Sequence, residues 1–332
     1  MTGAGFQSLV SRFLLDYLPT RRGLSPNTVA SYRDAIAPLL VWFASEGGVP
    51  ADSVEMEDLT PSAVSSWTAW LEGSRGCCPP TCNSRVAAIK SFAKFAQYEA
   101  PEHLERCAGI AGIPMKKHAT REMDFMSPEG VGAVISAADD NLRELAILSV
   151  MYESAARVSE VAALNVCDVS GRKPFTARLL GKGRKVRVVP LSPQVGETIA
   201  DYVGSCRGGA EPDGPMFLNA QGNRIGRAGI AYILKKNVAI AHEANPAIVP
   251  PTSHPHALRH SKATRMLESG INLVYIRDFL GHKSVTTTEV YAKASVEAKR
   301  KALEGLEQVV VSHSRYDNAE RADILSWLRG LL

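Results

Sequence analysis

One stretch of this chain carries a convincing β signal. "FTARLLGKGRKVRVVPL", residues 175–191, sets two β-prone runs on either side of "GKGR", a glycine-bearing turn, and is expected to form a hairpin. Elsewhere the apolar residues recur mainly at helical spacing. The expected fold class is therefore mainly α with a small β-sheet (α+β).

At 332 residues the chain exceeds what one hydrophobic core usually serves, so two domains are expected. The first hundred residues read as a small helical bundle. Phe6, Leu9, Val10, Phe13, Leu14 and Tyr17 form a first stripe. "LSPNTVASYRDAIAPLLVWFASEGG" opens on Ser25 as N-cap with Pro26 at the first helical position, and "LTPSAVSSWTAWLEG" repeats that design with Thr60 and Pro61. A fourth helix is expected at "NSRVAAIKSFAKFAQYEA", with Val86, Ile89, Phe92 and Ala96 inward. Basic Arg85, Lys90 and Lys94 lie largely off that stripe, where they could touch a nucleic-acid backbone. "GIAGIPMKKHAT", residues 109–120, reads as a linker. Ser127-Pro128-Glu129 then starts a new helix, and "LRELAILSVMYESAARVSEVAALNV" reads as two buried helices broken near Ser154–Arg157.

The 45% apolar and 22% charged fractions are those of an ordinary globular protein. There is no apolar run of about 18 residues and no basic-then-apolar leader in "MTGAGFQSLVSRF", so cytoplasmic, nucleoid-associated residence without membrane contact is expected. Cys77, Cys78, Cys82, Cys107, Cys167 and Cys206 are expected to be free thiols. "CCPPTC" with His103 and Cys107 lacks the paired C-x-x-C spacings of a zinc site, and no metal is assigned. Residues 1–117 hold 11 basic and 11 acidic side chains, so the net charge of +4 belongs to the remainder. Within it "GRKPFTARLLGKGRKVRVV" is densely basic without an acid, which suits a phosphate backbone; Arg184, Lys185 and Arg187 are its candidate DNA contacts.

"LGHKSVTTTEVYAKA" places His282 nine residues before Tyr291. A tyrosine that attacks a phosphodiester needs help, because a pKa near 10 leaves it protonated at neutral pH. Such a site wants guanidinium groups on the phosphate, a histidine nearby and an acid for the leaving oxygen. Arg157 sits at a helix junction in apolar surroundings, so it is either paired, with Glu160, or aimed at a ligand. Lys182 projects between two glycines. His256 and Arg259 lie three apart on one helix face, with His254 and His260 as competitors. His282 follows the helix end at Gly281, and Tyr275 is expected to pack in the core.

In this order the stretches resemble the tyrosine recombinase, or phage integrase, family. "ARVSEVAAL" is similar to its first arginine box, "GKGRKVRVVPL" to its hairpin-lysine segment and "HALRHSKAT" to its His-x-x-Arg box. "LGHKSVTTTEVY" resembles the second histidine followed by the nucleophile. The resemblance implies catalytic Arg157, Lys182, His256, Arg259, His282 and Tyr291. Tyr291 would form a 3′-phosphotyrosyl bond and Arg157 and Arg259 would hold the non-bridging oxygens. Lys182 would protonate the 5′-oxygen, His256 would handle the tyrosine proton and His282 would bond the phosphate. Glu160 would orient Arg157. No metal, nucleotide or other cofactor is implied.

The same resemblance implies a helical core-binding (SAM-like) domain over 1–108, the linker 109–120, a catalytic domain over 121–312 and a tail helix over 313–332. Its partners would be double-stranded recombination sites, other copies in dimers and tetramers through the 319–332 helix, and accessory recombinase subunits. The expected role is integration, excision or transposition of a mobile element. Chromosome-dimer resolution, a type IB topoisomerase and a catalytically silent accessory protein are the rival readings.

Overall fold

A computed structural model describes residues 5–119, 124–181, 183, 185–208, 211–282, 284, 285, 287–289, 291 and 330. The chain divides into two compact units, Met1–Arg121 and Glu122–Leu332. The fold is mostly helical with one small sheet.

In the first unit, α1 (Phe6–Arg12) runs on into a π-helical segment, Phe13–Arg21. Then come α2 (Pro26–Ser45), α3 (Pro61–Gly73), α4 (Pro79–Glu99) and α5 (Leu104–Gly112). The Ser-Pro and Thr-Pro starts behave as expected: Ser25 accepts from the Thr28 amide and Thr60 from the Ala63 amide, each with proline in the first turn. Phe6 and Phe13 meet Phe92 edge-on at 5.6 and 5.5 Å, and Trp67, Leu39 and Ile89 fill the same core. Cys82 and Cys107 are fully buried in it, so these thiols act as small apolar side chains.

The expected linker is corrected at its start. Residues 109–112 finish α5, because Cys107 and Ile110 give that short helix an apolar face that packs into the core. Past α5 the chain stays tied to this unit, with the Asn83 side chain pairing both the amide and the carbonyl of Lys116.

The second unit contains α6 (Pro128–Ser136), α7 (Leu142–Glu153), α8 (Val158–Ala163), β1 (Thr176–Leu180), β2 (Val186–Pro190), α9 (Pro193–Cys206), α10 (Arg227–Ala244), α11 (Pro255–Glu268) and α12 (Leu273–Leu280). Strands β1 and β2 pair antiparallel, Thr176 opposite Pro190 and Leu180 opposite Val186, and Gly183 takes a left-handed φ of 77° in the turn. Ala177, Leu179 and Val189 face a core shared with Ile147, Met151, Phe217 and Leu234.

One packing expectation fails. Tyr275 is 71% exposed. Helix α12 buries Ile276 and Leu280, one turn apart, which turns Tyr275 to the outside.

Candidate active site

The break between α7 and α8 is where the site begins. Ala155 is fully buried and holds a φ of 45°, an uncommon backbone state for a residue with a Cβ. That turn points its carbonyl at α11, where Nη1 of Arg259 donates to it at 2.7 Å. Nη2 of Arg259 donates to the Leu280 carbonyl at 2.6 Å. Arg259 is 3% exposed, and burial followed by the charge of Arg157 lowers its pKa to about 10. One guanidinium therefore joins the α7–α8 break to the end of α12.

Arg157 caps the start of α8 and shares its carboxylate partner with a strand residue. Glu160 accepts from the Arg157 amide and from Arg157 Nη1, both at 2.8 Å. It also accepts from Arg187 Nη1 at 3.0 Å and Nη2 at 2.7 Å. Burial pushes the Glu160 carboxyl up, but the hydrogen bonds from Arg187 and the Arg157 amide outweigh it and hold the group below its ordinary value. Of the two readings of Arg157, the pairing with Glu160 is present, and the side chain keeps 27% exposure.

Arg187 is one of the expected DNA contacts. Its fork is spent on Glu160, its Nε donates to the Phe279 carbonyl at 2.9 Å, and its side chain is only 11% exposed. Lys185 is exposed in the hairpin; Lys182 and Arg184 lie outside the described residues. In the first unit Lys94 is exposed, Lys90 is half-buried, and Arg85 donates to the Cys77 Sγ at 3.3 Å.

Helix α12 ends on Gly281 at φ 65°, a left-handed C-cap, and the His282 amide donates to the Arg277 carbonyl. Nδ1 of His282 lies 3.0 Å from Thr288 Oγ1, a contact across the segment between histidine and tyrosine. Tyr291 is 2% exposed and packs with Ala155, Ala263, Ile276 and Leu280. Its ring lies parallel to that of His282, centroids 6.4 Å apart. Its hydroxyl is 3.0 Å from Nδ1 of His260.

That last contact is made by His260, not by His256, to which the family resemblance gives the tyrosine proton. The imidazole on the phenol is His260, one helical turn further along α11, while His256 sits at the exposed end with its ring 6.2 Å from His260. Burial, then the charge of Arg259, lowers the His256 pKa. His260 falls to about 4 through burial and its histidine neighbours, and His282 to about 4 through burial and Arg259. Burial raises the Tyr291 phenol, opposed by the nearby charges of Arg259 and Arg157. The lowered imidazole pKa values, the raised phenol and two guanidinium groups gather around one buried hydroxyl, which His260 contacts directly.

The phage integrase family pattern matches residues 124–298, more than half of the chain and all of the site just described. The chain belongs to the phage integrase family. The family's N-terminal SAM-like domain matches residues 11–100. Among curated proteins, the tyrosine recombinase XerC of Pelobacter propionicus is 32% identical over 297 residues, covering 85% of this chain and 89% of the relative. The tyrosine recombinase XerD of Bifidobacterium longum is 29% identical, covering 94% and 98%. This integrase-family chain is accordingly a tyrosine recombinase. Among solved structures, the Tn1549 transposon integrase in complex with transposon right-end DNA superposes with a TM-score of 0.68 at 18% identity, covering 90% of this chain and 99% of that one. The XerH site-specific recombinase bound to a palindromic difH substrate gives 0.67 at 16% identity, covering 90% and 85%. These two share its fold.

Two participants in the site were not legible beforehand. Arg187 reads as one more cation of a basic hairpin, and Thr288 as one threonine in "VTTTEV". Only the i, i+4 spacing of His256 and His260 hinted that His260 could reach the same site.

Proposed function

We propose that this recombinase cuts and rejoins double-stranded DNA at specific sites through a covalent 3′-phosphotyrosyl bond to Tyr291. The observation that carries this reading is the buried Tyr291 phenol, paired to His260, stacked on His282 and lying in the field of Arg259 and Arg157. In the first step the Tyr291 oxygen bonds to phosphorus, the bond to the 5′-oxygen breaks, the phenol proton passes to a neighbouring imidazole and Lys182 supplies a proton to the 5′-oxygen. Arg157 and Arg259 neutralise the non-bridging oxygens, where charge grows in the transition state. These cations serve the purpose that a divalent ion serves in other phosphoryl transfers, and the phosphotyrosyl bond keeps the phosphodiester energy, so neither metal nor ATP takes part. A 5′-hydroxyl from a partner strand then reverses the step and releases Tyr291.

The DNA-bound complexes of the Tn1549 integrase and XerH, both similar in fold, support a duplex partner. The proposed role is movement of a mobile element, with two pairs of subunits exchanging strands, the 319–332 segment docking on a neighbour and accessory recombinases as further partners. Apart from residue 330, the tail lies outside the described residues. Among the described residues, no helix is long and apolar enough to cross a membrane.

The test is strand exchange between two plasmids carrying candidate sites from the flanks of the gene. Exchange between sites supports recombination; relaxation of a plasmid lacking any such site would assign a topoisomerase instead. Deleting residues 319–332 should reduce cooperative assembly on DNA, and unchanged assembly would remove the tail-docking proposal.

A further inference from the structure

We propose that Arg187 is a positioning residue that holds Arg157 and His282 in one catalytic register, and that it does so without touching DNA. This rests on the roles given to Arg157 and His282 above. The Arg187 guanidinium lies where three segments meet. Nη1 and Nη2 bind both oxygens of Glu160, the same carboxylate that receives the amide and Nη1 of Arg157 at the start of α8. Nε donates to the Phe279 carbonyl in the last turn of α12, three residues before His282.

Two glycines frame this cation. A Cβ on Gly281 would stand 3.2 Å from Arg187 Nη1 and 3.3 Å from its Cδ. A Cβ on Gly181 would stand 3.3 Å from Glu160 Oε1 and 3.5 Å from Arg187 Nη1. The hairpin strand and the end of α12 thus close onto the guanidinium from two sides at positions without side chains.

The physical consequence is that α8, β2 and α12 cannot move independently at the site. Glu160 is 3% exposed at its side chain, and a buried carboxylate needs its cations in place. Arginine suits the position because its planar fork binds a carboxylate bidentately while Nε remains free for a carbonyl; an ammonium has three donors but all on one atom, so it cannot span these three sites. Misplacement of a catalytic group by about 1 Å can cost on the order of a hundredfold in rate.

The experiment is a double-mutant cycle on single-turnover covalent-complex formation with a nicked duplex, alongside DNA affinity at two salt concentrations. For Arg187→Gln we expect affinity and its salt dependence unchanged within about twofold and a rate at saturating DNA lowered roughly ten- to a hundredfold. Arg187→Gln combined with Arg157→Ala should be slower than Arg157→Ala alone by clearly less than the loss Arg187→Gln causes in the wild type, because part of its effect acts through Arg157 and the rest through His282. Arg187→Lys keeps the charge beside Glu160 and should protect the fold, checked by thermal unfolding, without restoring the rate. A weaker, less salt-sensitive DNA complex with full rate would make Arg187 a phosphate contact and overturn the proposal; multiplicative losses in the double variant would overturn it too. Tyr291→Phe run in parallel separates the two readings: if it still traps DNA, the nucleophile assignment fails while the cycle between Arg157 and Arg187 is still read.

Discussion

Tyr291 Oη lies 3.0 Å from Nδ1 of His260, the residue that directly follows Arg259 on α11. Two adjacent side chains on one helix therefore reach both sides of the buried Tyr291 hydroxyl's surroundings. Arg259 turns inward to the carbonyls of Ala155 and Leu280, and His260 meets the phenol. The Tyr291 hydroxyl is buried and paired, so Tyr291→Phe should cost about 1 kcal/mol of stability, read from the denaturant midpoint.

The histidines give the site a pH signature. His260 and His282 stay neutral in the folded chain down to about pH 4, whereas their unperturbed value is 6.5. Between those values the unfolded chain binds more protons, so stability is full above pH 6.5 and falls as the pH drops toward 4. Unfolding at pH 5 should take up on the order of two more protons than at pH 7.5, and about one fewer in His260→Asn. Calorimetry in buffers of different ionisation enthalpy measures that uptake.

Glu160→Gln should be among the most destabilising changes in the second unit. It leaves Arg157 and Arg187 facing each other without the carboxylate that both bind, at a cost of about 3 kcal/mol. Equilibrium unfolding checks the magnitude.

Gly281→Ala tests the left-handed end of α12. The φ of 65° costs an L-residue about 1–2 kcal/mol, and the new methyl would press on Arg187. Loss of stability together with slower covalent-complex formation is expected; an unchanged rate would separate the turn from the chemistry.

The helical bundle, the hairpin and the helix starts at Ser25, Thr60 and Ser127 were legible because they depend on local chemistry: apolar spacing, a glycine turn, a hydroxyl cap before proline. The stretches carrying Arg157, His256, Arg259, His282 and Tyr291 stood out for their residue types and spacing, which resemble the family's motifs. What could not be read was which side chains spend their donors on each other. Arg187 and Arg184 are equal cations in the sequence, and only the approach of β2 to α8 and α12 buries the first against Glu160. His256 and His260 differ by one helical turn, and only the packing shows that His260 is the one on the phenol. Helix α5 escaped notice because its apolar face is Cys107 and Ile110 among glycines and alanines.

Lys94, exposed on α4 opposite the buried Val86, Ile89, Phe92 and Ala96, is expected to contact phosphate. Lys94→Ala should weaken binding to any duplex and lower the slope of log affinity against log salt by about 0.9. Titration at several salt concentrations reads it; an unchanged slope would take Lys94 out of the interface.

The most direct measurement is trapping on a nicked duplex whose cleavage releases a short strand and prevents religation. The wild-type chain should form a protein–DNA adduct resistant to denaturation, with the 3′-phosphate mapped to Tyr291 by digestion and mass spectrometry, in the presence of a metal chelator. Tyr291→Phe should bind the same duplex and form none. An adduct in Tyr291→Phe, or a wild-type adduct mapped to another residue, would contradict the account.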